Sequence, residues 1–183
     1  HRDIKPANLF LTRRGGEYVV KVLDFGIAKL RDPEPQSTDK EAKAEARKEL
    51  TATGSAFGSV PYMSPEQVRS TKDVDHRTDL WSMGVMLYEA LTGTLPWGGA
   101  DELAQIILRI YHGSPTPLLQ LAPWVPPEIA RLVERAMTRD LAQRYSSAGE
   151  MLAETQALMR GTMAITDAMM VSLPEALRAQ AGS

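Results

Sequence analysis

Asn8 and Asp24 stand sixteen residues apart, and the chain between them spells one β-hairpin. Leu9 to Thr12 and Tyr18 to Leu23 are apolar-rich runs, and Arg13-Arg14-Gly15-Gly16-Glu17 between them centres on a Gly-Gly pair suited to a tight turn. A hairpin over these residues carries Asn8 and Asp24 back to the same point in space. Just upstream, His1-Arg2-Asp3-Ile4-Lys5-Pro6-Ala7-Asn8-Leu9-Phe10 sets an acid, a lysine and an amide at fixed offsets on a short loop. Any fold must therefore accommodate one polar centre at the base of a hairpin.

The remainder reads as helix. In Gly58-Ser59-Val60-Pro61-Tyr62-Met63-Ser64-Pro65-Glu66-Gln67, Ser64 is a good N-cap, Pro65 fits the first helical position and Gln67 completes a capping box. From Leu80 to Leu91 apolar residues occur almost all round, which predicts a buried helix, ended by Gly93. On its residues alone, Asp79 reads as a plain helix cap. Three further stripes recur at helical spacing: Leu103, Ile106, Ile107 and Ile110; Ile129, Leu132, Val133, Ala136 and Met137; and Met151, Leu152, Thr155, Leu158 and Met159. The last is opened by a capping box from Ser147 to Glu150, and all three stripes are expected in the core. His76 and His112 read as solvated loop residues.

Composition sets bounds on function. A hydrophobic content of 43% suffices for a core, and a net charge of −2 gives no argument for nucleic acid or membrane binding. There is no cysteine, which excludes disulfides, zinc–thiolate sites and thiol catalysis. No apolar run approaches the ~20 residues that span a bilayer. The segment 31–50 holds eleven charged residues in twenty positions and reads as a solvated insert.

Singly, His1-Arg2-Asp3 and Asp24-Phe25-Gly26 are ordinary surface tripeptides. In this order and spacing, with Ser64-Pro65-Glu66 behind them, they resemble the catalytic loop, the metal-binding motif and the end of the activation segment of a protein kinase. The wording Pro61-Tyr62-Met63-Ser64-Pro65-Glu66-Gln67 is most similar to the bacterial eukaryote-like (Hanks-type) serine/threonine kinases. The resemblance runs from His1 to about Arg160 and implies a mainly α fold. It is that of the larger, C-terminal lobe, a helical bundle with a small hairpin, within a two-lobed α+β parent.

The resemblance also implies roles. Asp3 orients the substrate hydroxyl and accepts its proton, and Lys5 is a cation beside the transferring phosphoryl group. Asn8 and Asp24 hold Mg²⁺, a hard cation that takes its remaining ligands from water and phosphate. ATP is the phosphoryl donor, and Phe10 forms the floor of the adenine pocket. Ser59 touches Asp3 and Lys5 to position substrate, and Asp79 holds the backbone of the His1-Arg2-Asp3 loop besides capping its own helix. Glu66 pairs with Arg144, while His1, Arg2, Phe25 and Gly26 support the site. Leu141 and Tyr145 stand where proline is common in the family.

Residues 1–160 then form the C-lobe, with 27–63 as activation segment and 161–183 as linker or tail. Because Arg2 precedes Asp3, a phosphorylated residue of the activation segment is expected to dock there, with Thr51, Thr53 and Ser55 as sites. The glycine-rich loop, strand lysine and helix glutamate of the small lobe are missing, so the chain is expected to be part of a larger, cytoplasmic enzyme acting on Ser/Thr of protein substrates. The chain alone is expected to be nearly inactive, with an exposed apolar face where the N-lobe would sit. The alternative is a non-catalytic kinase-like binding or scaffold module. The parent, on either reading, could be tethered to a membrane through segments outside this chain.

Overall fold

The computed structural model describes residues 1–24, 58–69, 74–98, 102–159 and 165. Phe25, Gly26, the charged insert, Thr51, Thr53, Ser55 and all of the tail except Ile165 lie outside the described residues.

A 3₁₀ turn, Pro6–Asn8, leads into an antiparallel hairpin of β1 (Leu9–Arg14) and β2 (Glu17–Val22), in register from Leu9 opposite Val22 to Arg14 opposite Glu17. Its turn is shorter than the five-residue stretch flanking the glycines, because both strands extend to the Gly-Gly pair itself. Gly15 and Gly16 adopt φ of 61° and 90°. Positive φ at both central residues is what a two-residue type I′ turn demands, and glycine adopts it without steric cost. The hairpin exposes apolar side chains on both faces: Phe10 is 57% exposed and Val20 48%. On its outer edge the Tyr18 N–H donates to the Ile165 carbonyl at 3.2 Å.

Behind it lies a mainly helical body. A second 3₁₀ turn, Val60–Tyr62, precedes the short α1 (Pro65–Arg69), and then comes the central helix α2 (Arg77–Thr92). Trp81, Val85 and Tyr88 of α2 are essentially inaccessible. Its polar residues bury themselves by bonding back to their own helix, Ser82 Oγ to the Thr78 carbonyl at 3.2 Å and Thr92 Oγ1 to that of Tyr88 at 2.9 Å. Gly93 ends the helix at φ 75°, its N–H on the Glu89 carbonyl. Around α2 stand α3 (Leu103–Tyr111), α4 (Leu118–Leu121), α5 (Pro127–Ala136) and α6 (Ala148–Leu158). α5 packs on α2, α4 and α6, and α3 packs on α1 and the Val60–Tyr62 turn.

The α2–α5 crossing depends on Gly84. A β-carbon there would fall 2.8 Å from Ala136 Cβ and 2.9 Å from Met137 Cγ. Overpacking of a core costs about 1–3 kcal/mol, against a helix-propensity gain of up to about 1 kcal/mol. Gly84→Ala is therefore expected to lower the urea midpoint with an unchanged m-value; a raised midpoint would contradict this close approach.

Two expectations need correction at α6. The stripe is only partly core: Met151 is buried and Leu158 half-buried, whereas Leu152 is 49% and Met159 42% exposed. The helix lies at the edge of the body, so only its α5-facing side is covered. The capping box is also half formed. Ser147 Oγ accepts the Glu150 N–H at 3.1 Å, but the Glu150 carboxylate reaches one residue further back, to the N–H of Ser146 at 2.8 Å and its hydroxyl at 2.7 Å. Those Ser146 bonds, with the Arg135 guanidinium, hold the carboxyl at about 2. A carboxyl lowered on folding stabilises above its unfolded value near 4.5, and this contribution is lost as pH falls from there to about 2. Glu150→Gln should flatten the acid limb of stability in that window, and high salt should shrink the difference, because the group faces solvent. Identical acid limbs would contradict the assignment.

Candidate active site

The loop from His1 to Lys5 has no helix or sheet to hold it, and side chains take over that task. Arg2 adopts φ 67°, a left-handed conformation that costs a non-glycine residue roughly 1–3 kcal/mol and persists only where its surroundings impose it. Asp79, in the first turn of α2, accepts from the backbone nitrogen of His1 at 2.9 Å and from that of Arg2 at 2.8 Å. The reading of Asp79 as a plain cap is thus replaced. α2 begins two residues before it, and Asp75 Oδ1 takes the Arg77 N–H at 2.8 Å. The His1 ring lies between two backbones, Nε2 on the Leu23 carbonyl at 3.0 Å and Nδ1 on the Asp3 N–H at 3.3 Å. A neutral imidazole protonated on Nε2 satisfies both contacts.

This framework presents a connected polar centre. The Lys5 ammonium donates to Ser59 Oγ at 2.6 Å and lies 3.3 Å from Asp3 Oδ2. The Asn8 amide donates to the Asp3 carbonyl at 2.7 Å and to Asp3 Oδ2 at 3.1 Å. With both amide protons spent, the capacity left to the buried Asn8 side chain is that of its oxygen. The Leu23 N–H bonds the Asn8 carbonyl at 2.8 Å, continuing the hairpin ladder and setting the exposed Asp24 next to that link. Asp24 itself turns at φ 53°. One amide oxygen and one carboxylate make a hard, sparse donor set, which fits Mg²⁺ shared with phosphate oxygens. Among the described residues, no three His, Cys, Asp or Glu converge on one point. Phe10 stands on the hairpin two residues beyond Asn8 with its side chain open.

Ser59 opens a segment tied firmly to the body. The Trp97 indole donates to the Pro61 carbonyl at 2.8 Å, Ser82 Oγ to that of Tyr62 at 2.8 Å, and the Tyr62 hydroxyl to Glu89 at 2.6 Å. Burial, reinforced by Glu89, raises the Tyr62 phenol above its ordinary range. Ser64 and Gln67 form a full capping box, with the Ser64 N–H on Gln67 Oε1 at 3.0 Å and the Gln67 N–H on Ser64 Oγ at 3.3 Å. Glu66 meets Arg144 in a two-pronged ion pair of 2.7 and 3.2 Å, with Thr78 Oγ1 donating to the same carboxylate at 3.0 Å. Tyr145, at a position of common proline, is fully buried with the Arg135 guanidinium 4.1 Å from its ring centroid.

Sequence reasoning missed several contributors. Trp97, Ser82 and Glu89 carried no motif; a buried indole N–H needs an acceptor, but the chain does not say which. Gln67 was assigned only a cap, yet its Nε2 also donates to the Arg2 carbonyl at 3.0 Å.

The chain belongs to the protein kinase family: the family described as "Protein kinase domain" matches residues 1–156. It is 40% identical over 161 residues to the serine/threonine-protein kinase pkn3 of Myxococcus xanthus, covering 86% of this chain and 27% of that protein. With the serine/threonine-protein kinase PknB of Mycolicibacterium smegmatis it shares 34% over 191 residues, covering all of this chain and 28% of the relative. The protein named tyrosine-protein kinase MasK, also of Myxococcus xanthus, is 40% identical over 148 residues, covering 81% of this chain and 20% of the relative. The chain thus spans between a fifth and under a third of the length of these curated relatives. No described helix is long and apolar enough to cross a membrane.

Proposed function

We propose that this chain is the C-terminal lobe of a larger serine/threonine kinase that transfers the γ-phosphate of MgATP to Ser and Thr hydroxyls of protein substrates. The observation that carries the reading is the continuous network Asn8–Asp3–Lys5–Ser59 with Asp24 beside it. Phosphoryl transfer has a loose transition state, so positioning and charge compensation are what a protein supplies. Asp3, held by Lys5 and Asn8, orients the incoming hydroxyl and takes its proton. Lys5, fixed between Asp3 and Ser59, places a positive charge where the phosphoryl group passes. Asn8 Oδ1 and the Asp24 carboxylate would hold Mg²⁺, which when bound offsets charge on the phosphates. Ser59 ties the substrate-binding segment to the catalytic loop, and this Lys5–Ser59 contact favours Ser/Thr over the tyrosine specificity in one relative's name.

In this reading residues 1–160 are the C-lobe, 27–63 the activation segment and 161–183 a linker or tail in a cytoplasmic setting. Phe10 floors the adenine pocket, and the exposed apolar residues of the hairpin meet an N-lobe that brings the remaining phosphate contacts. Thr51, Thr53 and Ser55 are proposed phosphorylation sites that pair with Arg2.

Residues 1–183 alone are expected to turn over MgATP and a Ser/Thr peptide at a rate near background, whereas the full-length parent is active. Robust turnover by the isolated chain would overturn the need for an N-lobe. An inactive parent that still binds protein partners would support the scaffold alternative.

A further inference from the structure

We infer that Gln67 is a positioning residue for Asp3, linking the end of the substrate-binding segment to the proposed catalytic base; this rests on the kinase reading above. The two peptides flanking Arg2 lie in a left-handed bend outside any regular element, and three side chains hold them. Asp79 takes the Arg2 N–H at 2.8 Å, His1 Nδ1 takes the Asp3 N–H at 3.3 Å, and Gln67 Nε2 donates to the Arg2 carbonyl at 3.0 Å. The Arg2–Asp3 peptide plane, which sets where the Asp3 side chain begins, is therefore gripped at both ends. Asp79 anchors the bend to the central helix and His1 anchors it to the hairpin. Gln67 alone of the three comes from the substrate side, where its Oε1 simultaneously accepts the Ser64 N–H at 3.0 Å. One amide thus spans two backbones, so the geometry at Ser64 and the aim of Asp3 are set together.

Glutamate also closes a capping box as an acceptor. Gln67→Glu therefore keeps the cap at Ser64, removes the donor to Arg2 and sets a negative charge against its carbonyl. In the full-length parent, kcat should fall about tenfold or more, because misplacing a reacting group by ~1 Å can cost up to 10²-fold. KM for ATP and for peptide should stay within about twofold, with Tm lowered by no more than a few degrees. Relative to the unsubstituted parent at the same pH, the loss should shrink as the pH is lowered toward the titration of the introduced carboxyl, since its protonated form donates again. Amide hydrogen exchange at Arg2 and Asp3 should accelerate in the same variant. Unchanged kcat and unchanged exchange would show that Gln67 merely caps α1 and would overturn the inference. If the unsubstituted parent shows no turnover, the kinase reading fails, and the exchange rates alone then decide whether Gln67 holds the loop.

Discussion

Arg144→Met should lower the unfolding free energy by about 3–5 kcal/mol, the loss associated with stranding one partner of a buried ion pair. Arg144 has no exposed side-chain surface, and Glu66 keeps 12%. The guanidinium also donates to the carbonyls of Thr138 at 2.8 Å and Arg77 at 3.1 Å, and lies 5.0 Å from the centroid of the Trp81 ring. Methionine restores the volume but none of these bonds, and it strips the Arg144 donors from the Glu66 carboxylate and from both carbonyls. Burial alone would raise the Glu66 carboxyl; the hydrogen bonds and charge of Arg144 prevail and hold it below its ordinary value. The stabilisation is therefore present above the unfolded carboxyl value and is lost as pH falls through the lower folded one. Urea denaturation measures the loss, and Glu66→Gln combined with Arg144→Met should cost less than the sum of the single changes. A loss under about 1 kcal/mol for Arg144→Met would mean that water reaches the pair.

Asp24→Asn should reduce kcat of the full-length parent about 10²-fold or more, the scale on which losing one preorganised electrostatic contact to a transition state acts. Asp24 is exposed and follows the hairpin, so its substitution should leave the unfolding midpoint almost untouched. That separation of activity from stability is the informative part. A residue that only shaped the hairpin end would change both, and a loss of less than about tenfold would remove Asp24 from the metal-binding role.

What could be read from the chain alone divides along physical lines. The hairpin was legible because Gly15-Gly16 leaves one inexpensive turn geometry, and the register follows from it. The central helix was legible because apolar residues placed almost all round from Leu80 to Leu91 have no stable solvated alternative. Glu66 and Arg144 lie 78 residues apart; no local pattern joins them, and only the family resemblance suggested the pair. Asp79 was misjudged on residues alone, because a carboxylate in a first turn looks the same whether it serves its own helix or a distant loop. The α6 stripe was overcounted, because periodicity marks a face and not how much of it a neighbour covers. The contacts of Gln67 with Arg2 and of Trp97 with Pro61 had no signal, since a long polar side chain finds its partner only once the fold exists.

The most direct test of the central claim is phosphoamino-acid analysis of a generic protein substrate after incubation of the full-length parent with Mg²⁺ and γ-labelled ATP. Label on serine or threonine, abolished by Asp3→Asn, is the predicted result. Label on tyrosine would contradict the assigned specificity, and no label at all would contradict the assignment of Asp3, Lys5, Asn8 and Asp24 as a working phosphotransfer site.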